Sequence, residues 1–517
     1  MTMRTDVNGP GSPRAKSLAG AWVVPMVLAA LLLTGCGGSP HLSDPLGQLR
    51  DPTASVGRRV AAAEQAWDRV REGEGDRTAT RETMKSLAWS RQAPVPVRLA
   101  CLEALLNDPS PSGEADARQM ASMLIWREPL LPIVEFIATT AADRGWTEFT
   151  PSLVRSYAQQ RPRVRDADRP ERAALARLHP DRPVAEVVFG IFLRPEIEGG
   201  VYDMDWSERT RMDAWDLLQR LDPDGRLRGR LLEGSEAAVA DAGGLAVVQT
   251  LRAGLADLRV VPKTSDELRW LIRLRDTSDG ANAAWWREAA RAIARLDGAR
   301  GERLELRHVE AVRWASAHRS DWLDRTREDL LAEIGARTSS RDRFPRRDGV
   351  ASFRGVRSES LEAWSDRMSW ADALTVLVVD DALRDGGFER AIFEFAELDR
   401  EDTTTEYGGT LEWAAPGRWR LSLYPPRASD RRGDDVFVAS AEMIEASDRA
   451  LAHFHLHAQR VDMRRFAGPS EGDFAYAARS GRTCVVFTSI DRDTMNLDVF
   501  TPDGVVIDLG TYTRPGE

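Results

Sequence analysis

The sequence predicts a multidomain protein, an all-α helical region followed by a mixed α/β domain. Three observations predict it. Between about 55 and 335, apolar residues recur at helical spacing, and the segments end in Asp-Pro or Asp-Gly. Beyond about 359, short runs alternate as strands do and are divided by turn signals. Three of the seven histidines, His453, His455 and His457, occupy alternate positions of one such run. Alternate residues of a strand share a face, so three imidazoles would crowd one side of a sheet. A core strand would carry Val, Ile or Leu there, whereas imidazole is a common metal ligand.

The 517 residues suffice for two or three domains. Hydrophobic residues at 42% and charged residues at 29% describe a globular chain. A net charge of -10 argues against a general nucleic-acid binder. Nearly all the positive charge is arginine, since lysine stands only at 16, 85 and 263.

In chain order, the first element is a targeting segment, residues 1–35. Arg4, Arg14 and Lys16 form a basic stretch, and Ala19 to Leu33 is apolar but short for a membrane span. It ends in Leu33-Thr34-Gly35-Cys36, which resembles the lipobox of bacterial lipoprotein signal peptides. The resemblance implies a mature chain that starts at a lipidated Cys36 and is anchored in the bacterial cell envelope. Gly37 in place of Asp points to the periplasmic face of the outer membrane. Residues 36–54, rich in Gly, Ser, Pro and Asp, read as a tether. Cys101 and Cys484 remain, too far apart in sequence to form a framework, and are expected as small buried apolar residues.

Residues 55–335 form the helical domain. Val97, Cys101, Ala104 and Leu105 share a helical face, as do Ala214, Leu217, Leu218 and Leu221, and Ala289, Ile293 and Leu296. Asn107-Asp108-Pro109, Asp222-Pro223 and Asp297-Gly298 follow them as stop signals. Short amphipathic helices ended in this way resemble HEAT-like repeats, although the intervals are irregular. The frequent tryptophans of this region are expected in its core, with partner anchoring as the other reading. Residues 336–358 lack periodicity and read as a linker.

In the α/β domain, 359–517, a helix is expected from Ser369 to Leu398. Strands are expected at Gly409–Trp413, Trp419–Tyr424, Asp435–Val438, Leu451–His457, Thr483–Ser489, Asn496–Phe500 and Val505–Leu509. A helix at Ser470–Arg479 interrupts them, and Asp503-Gly504 is a hairpin turn signal.

Glu406 precedes Gly408-Gly409 and a strand. His455-x-His457 ends another, and Pro469-Ser470-x-x-Asp473 opens a helix. This order resembles the JAB/MPN domain with its JAMM metalloprotease motif, over roughly residues 365–510. The resemblance implies that His455, His457 and Asp473 bind zinc, that Glu406 is the general acid/base, and that Ser470 helps stabilise an oxyanion. Three protein ligands leave a fourth zinc position for water, whose pKa falls towards about 7. A carboxylate outside the ligand set can take its proton, and a hydroxyl opposite can steady the carbonyl oxygen. Twelve residues separate His457 from Ser470, where the family usually has seven; the added loop includes Arg460, Arg464 and Arg465. His453 is a further imidazole, either beside the site or in place of one ligand.

Taken apart, Ser470-x-x-Asp473 is an acceptable helix cap, and Glu406 an ordinary turn carboxylate. The expected function is a membrane-anchored zinc hydrolase that cleaves an amide or isopeptide bond in a protein or peptide, with the helical domain recruiting substrate or an envelope partner. The alternative is a non-catalytic envelope scaffold with a JAB/MPN-like docking module. In the first case His455, His457 and Asp473 should converge, with Glu406 and Ser470 on opposite sides.

Overall fold

The computed structural model describes residues 41–195, 204–234, 242–276, 278–301, 303–345, 358–414 and 417–515. The targeting segment, Cys36 and linker residues 346–357 lie outside them. The chain divides into two compact units, Met1–Arg118 and Gln119–Glu517.

In the first unit, three helices pack together: α1 (Val56–Glu72), α2 (Arg77–Trp89) and α3 (Val95–Leu106). Ser55 caps α1 by accepting from Arg58 N, and Gly73 ends it in the left-handed region at φ 79°. Both choices follow from the unpaired groups at helix ends. Val97, Cys101 and Leu105 of α3 are buried, as their spacing predicts, whereas Ala104 is only half-buried. Asp108 does more than stop α3. It is buried and pairs with Arg81 at 2.7 Å and Arg77 at 3.2 Å.

The second unit begins as helices. They include α4 (Met204–Leu221), α5 (Ser265–Arg275), α6 (Gly280–Ala294), α7 (Val309–His318) and α8 (Arg327–Thr338). No strand occurs before residue 408 among the described residues. Ala214, Leu217 and Leu218, and Ala289, Ile293 and Leu296, are buried on the faces their spacing predicts. Asp222 receives the backbone N–H groups of Leu227 and Arg228, so the stop signal of one helix starts the next. Trp67, Trp146, Trp215, Trp270, Trp285, Trp286, Trp314 and Trp322 are buried, which makes them core side chains. No helix among the described residues is long and apolar enough to cross a membrane.

The C-terminal part is a six-stranded mixed sheet with helices. α9 (Trp370–Ala382) and α10 (Gly386–Glu401) precede β1 (Gly408–Ala414) and β2 (Arg418–Leu423). Then come β3 (Ala452–His457), α11 (Glu471–Ser480), β4 (Cys484–Ser489), β5 (Thr494–Phe500) and β6 (Val506–Thr513). The order is β2-β1-β3-β4-β5-β6. Only β3 and β4 run parallel, joined by the crossover that contains α11. One face of β3 and β4, with Phe454 and Phe487, meets Phe395 and Phe388 of α10. On the other face Cys484 and Val486 pack with Phe474 and Ala477 of α11. The sheet therefore lies between two helices, with β3 buried on both sides. Cys101 and Cys484 are free and buried, as expected.

Two expectations are corrected. The helix expected across 369–398 is two helices, α9 and α10. The chain turns at Leu383–Asp385, where the Asp385 carboxylate accepts the Trp419 N–H of β2. The segment Asp435–Val438 is not a strand. β1, which follows directly after the segment's partners Thr405 and Glu406, is already paired on both edges, by β2 and β3, so the segment cannot pair with that strand. Its backbone is held instead by the Glu406 N–H and the Thr405 hydroxyl, which donate to the Val436 carbonyl at 3.4 and 3.3 Å, just after an isolated bridge between Thr405 and Gly433.

Helix α5 lies against this part. Trp270 donates its indole N–H to the Asp448 carbonyl at 2.7 Å, and Arg273 clasps the Asp448 carboxylate at 2.8–3.0 Å. The Arg482 guanidinium stacks 3.6 Å over the Trp270 ring.

Candidate metal centre

Strand alternation sends His453, His455 and His457 to the face shared with α11. All three are buried. Register with β1 sets Gly408 opposite His455 and Thr410 opposite His453. Glu406 therefore emerges just before β1, level with the C-terminal end of β3.

His455 Nε2 lies 3.3 Å from His457 Nε2 and 3.3 Å from Asp473 Oδ2, and His457 Nε2 lies 3.9 Å from that same oxygen. Ligand atoms about 2.0–2.1 Å from a tetrahedral ion stand about 3.3 Å apart. Two nitrogens and a carboxylate oxygen at this spacing fit such an ion. Glu406 Oε1 is 4.0 Å from His457 Nε2. Glu406, His455 and His457 by themselves form a buried group able to hold a metal ion, their ligand atoms all within 4.8 Å of one another.

The surroundings fix each donor. His457 Nδ1 donates to the Phe466 carbonyl at 2.9 Å, so the proton sits on Nδ1 and the Nε2 lone pair faces the site. Phe466 belongs to the long loop between His457 and Ser470. That loop is tied down by Met463 N to the Ser489 carbonyl at 2.7 Å and by Arg464 Nε to the Ile490 carbonyl at 3.0 Å. The Phe437 ring lies flat beside the His455 ring, 6.2 Å between centroids and 7° between planes. The corrected segment 435–438 thus acts as a wall of the site. Gln459 donates to Glu406 Oε1 at 2.7 Å.

The electrostatics follow from burial and proximity. Burial pushes Glu406 up to about 8, with the Asp473 charge adding to the shift and the nearby His455 opposing it. Burial opposes charge on His455, but Asp473 outweighs it and raises the imidazole above its ordinary value. Burial likewise opposes charge on Asp473. The His455 charge and hydrogen bond, with His457 and the Ser470 N–H, hold that carboxyl well below the usual range. Burial also lifts Asp399, which accepts the Tyr407 N–H at 2.6 Å, to about 7.

Ser470 is the N-cap of α11. It accepts the Asp473 N–H at 3.3 Å, and Asp473 Oδ2 receives the Ser470 N–H at 2.6 Å, a capping box. Asp473 thus serves the helix end and the metal-ligand triangle with one oxygen. Ser470 keeps its own O–H free to donate and lines the cavity.

That cavity has a volume of about 750 Å³, within the range of small-molecule and peptide sites. It runs from Glu406, past His455 and His457, to His453, Tyr476 and Arg482. Its far wall includes Asp266, Arg269 and Arg273 of α5. Sequence reasoning singled out the histidines, Glu406, Ser470 and Asp473, and the structure brings them to this one cavity. It gave no sign of Gln459, Phe437 or the Phe466 carbonyl, because each acts through a contact that no spacing encodes. Cys36 lies outside the described residues.

No family model, no curated protein and no solved structure matches this chain.

Proposed function

We propose that the chain is a zinc-dependent hydrolase of the JAMM type that cleaves an amide or isopeptide bond, lipid-anchored at Cys36 in the bacterial envelope. One observation carries the reading: His455, His457 and Asp473 form a triangle of ligand spacing beside a buried carboxylate, inside a cavity large enough for a peptide segment.

His455, His457 and Asp473 would hold the ion. Bound there, zinc supplies a Lewis acid and lowers the pKa of a water towards about 7. Glu406 takes the proton of the attacking water and passes it to the leaving amine. Gln459 fixes Oε1 of that carboxylate and leaves Oε2 for the proton. The Ser470 hydroxyl, at the positive end of α11, donates to the oxygen on which charge develops. The apolar wall with Phe437 and Phe500 keeps bulk water away from these groups.

A JAB/MPN-like fold for the C-terminal part rests on the same residues in the same order. The helical region is assigned to substrate or partner recruitment at the envelope. Export would separate the enzyme from cytosolic ubiquitin-like modifiers, so that substrate is not transferred to it.

The test is the metal content of the purified full chain, with hydrolysis of a peptide library read by mass spectrometry. About one zinc per chain, lost in His455→Ala, together with zinc-dependent cleavage, is the expected result. A wild-type chain that binds no zinc ends the hydrolase reading; zinc without cleavage leaves the docking module. Mass spectrometry of the mature N-terminus should find lipid on Cys36, and an unmodified Cys36 ends the anchoring part.

A further inference from the structure

His453 takes no part in the reading above, yet it is the best-prepared side chain in the cavity. It shares the strand face of His455 and lies two residues before it, a rise of about 6.6 Å. That is close to two residues of an extended substrate chain laid along the strand. Its Nδ1 is 2.7 Å from the Tyr476 hydroxyl. Tyr476 O–H has no other acceptor among the described residues, and a phenol donates well to an imidazole nitrogen. The proton on the ring is therefore on Nε2. His453 is only 2% exposed, its Nε2 has no hydrogen-bond partner, and the residue lines the cavity. A buried N–H without an acceptor is costly, and such groups call for a ligand that completes them.

Charge at this end indicates which ligand. Arg273 and Arg482 face one carboxylate, that of Asp448, at 2.8 and 3.7 Å. Arg479, also on the wall, forms no ion pair among the described residues, whereas Arg269 is neutralised by Asp266 at 3.0 Å. The His453 end thus carries surplus positive charge. Asp434 and Asp435 line the cavity together with Glu406 and Arg460, at the other end.

We propose that His453 is a specificity-determining residue whose Nε2–H receives a substrate carboxylate, so that the site selects amides bearing an acidic group about 6.6 Å from the bond to be cut. Tyr476 is its positioning residue, because it sets the tautomer. The inference rests on the zinc site proposed above.

The experiment uses the full chain loaded with zinc and two hydroxamates of equal chain length, glutaric acid monohydroxamate and pentanoyl hydroxamate, titrated by calorimetry. Both place a zinc-binding group in the site, but only the first carries a carboxylate. The acid is expected to bind about 10- to 100-fold more tightly, the scale of one hydrogen bond to a charged group. His453→Gln, whose amide N–H reaches the same place, should keep part of the preference. His453→Phe and Tyr476→Phe should lose most of it with zinc content unchanged. If His453→Phe fails to fold or loses zinc, the Gln and Tyr476→Phe variants decide. Equal binding of the two hydroxamates by the wild type, or a preference that survives both Phe variants, overturns the inference and leaves the zinc site standing. No zinc and no binding of either hydroxamate overturns the proposed function, and this inference with it.

Discussion

Asp473 and Ser470 show how one pair of side chains can serve a helix end and a reaction site together. Asp473 Oδ2 receives the Ser470 N–H at 2.6 Å while standing 3.3 Å from His455 Nε2. The two duties separate on substitution. Ser470→Ala removes the cap and should cost about 1 kcal/mol of stability, with zinc retained. Asp473→Asn keeps a side chain of the same shape but presents a neutral amide, so zinc content should fall. Thermal melts and metal analysis of both variants check this, and equal zinc loss in the two would make Ser470 part of the ligand set. Glu406→Gln tests a third duty. It preserves shape and removes the proton acceptor, so zinc should stay near one per chain while hydrolysis falls by about two to four orders of magnitude. An empty site in Glu406→Gln would mean that the carboxylate is a ligand, as its 4.0 Å distance from His457 permits.

At the scale of elements, the site depends on how closely strands approach their neighbours. A Cβ added at Gly408 would stand 2.5 Å from the Phe454 carbonyl oxygen and 2.7 Å from the Phe437 ring. Glycine there is a matter of room, since its φ is not in the left-handed region. Gly408→Ala should push β1 from β3 and displace Phe437 from the face of His455. The expected loss is about 1–3 kcal/mol of stability, the usual scale of overpacking, with a measurable drop in zinc affinity. A crystal structure of the variant with Phe437 unmoved would refute this. The same strands show what was legible. The alternation of histidines announced β3 and its face, and the last three strands followed from apolar runs and the Asp503-Gly504 turn. Segment 435–438 carries the β-favouring run Val436-Phe437-Val438 as well, but whether such a run joins a sheet is decided by residues far away in sequence. The long loop after His457 read only as a departure from the family's spacing. Its use, the Phe466 carbonyl that holds His457 Nδ1, is a backbone group and leaves no trace in residue type.

At the scale of the molecule, the helical stretch and the sheet region of the second unit meet along α7 and α8, which pack on α9, and along α5, where the junction contains a pH-sensitive carboxyl. Helical spacing and then strand-like runs predicted the order of helical and mixed regions, but no periodicity could show that α5 turns one face to the sheet region. Glu267 of α5 is buried and accepts the Lys263 N–H at 3.0 Å. Gly481, which ends α11 at φ +70°, approaches so closely that a Cβ there would stand 2.2 Å from Glu267 Cγ. Burial pushes Glu267 up from 4.5 to about 7. A folded-state value above the unfolded one means that the folded chain binds the proton more tightly. Stability from this group is then full below pH 4.5 and declines as pH rises towards 7, by up to about 3 kcal/mol. Glu305, close by, acts in the opposite sense. Burial opposes its charge, but Arg307, His308 and Lys263 hold it at about 2, so its stabilisation is present above pH 4.5 and lost as pH falls towards 2. Glu267→Gln should therefore become progressively more stable than wild type as pH rises from 4.5 to 7, and leave the acid limb set by Glu305 unchanged. Buried Glu406 and Asp399 titrate upward in the metal-free chain as well. The readout is accordingly the difference in unfolding midpoint between variant and wild type at each pH, in which their contributions cancel. Midpoint curves that run parallel from pH 4.5 to 7 would show that Glu267 keeps its charge at the junction throughout.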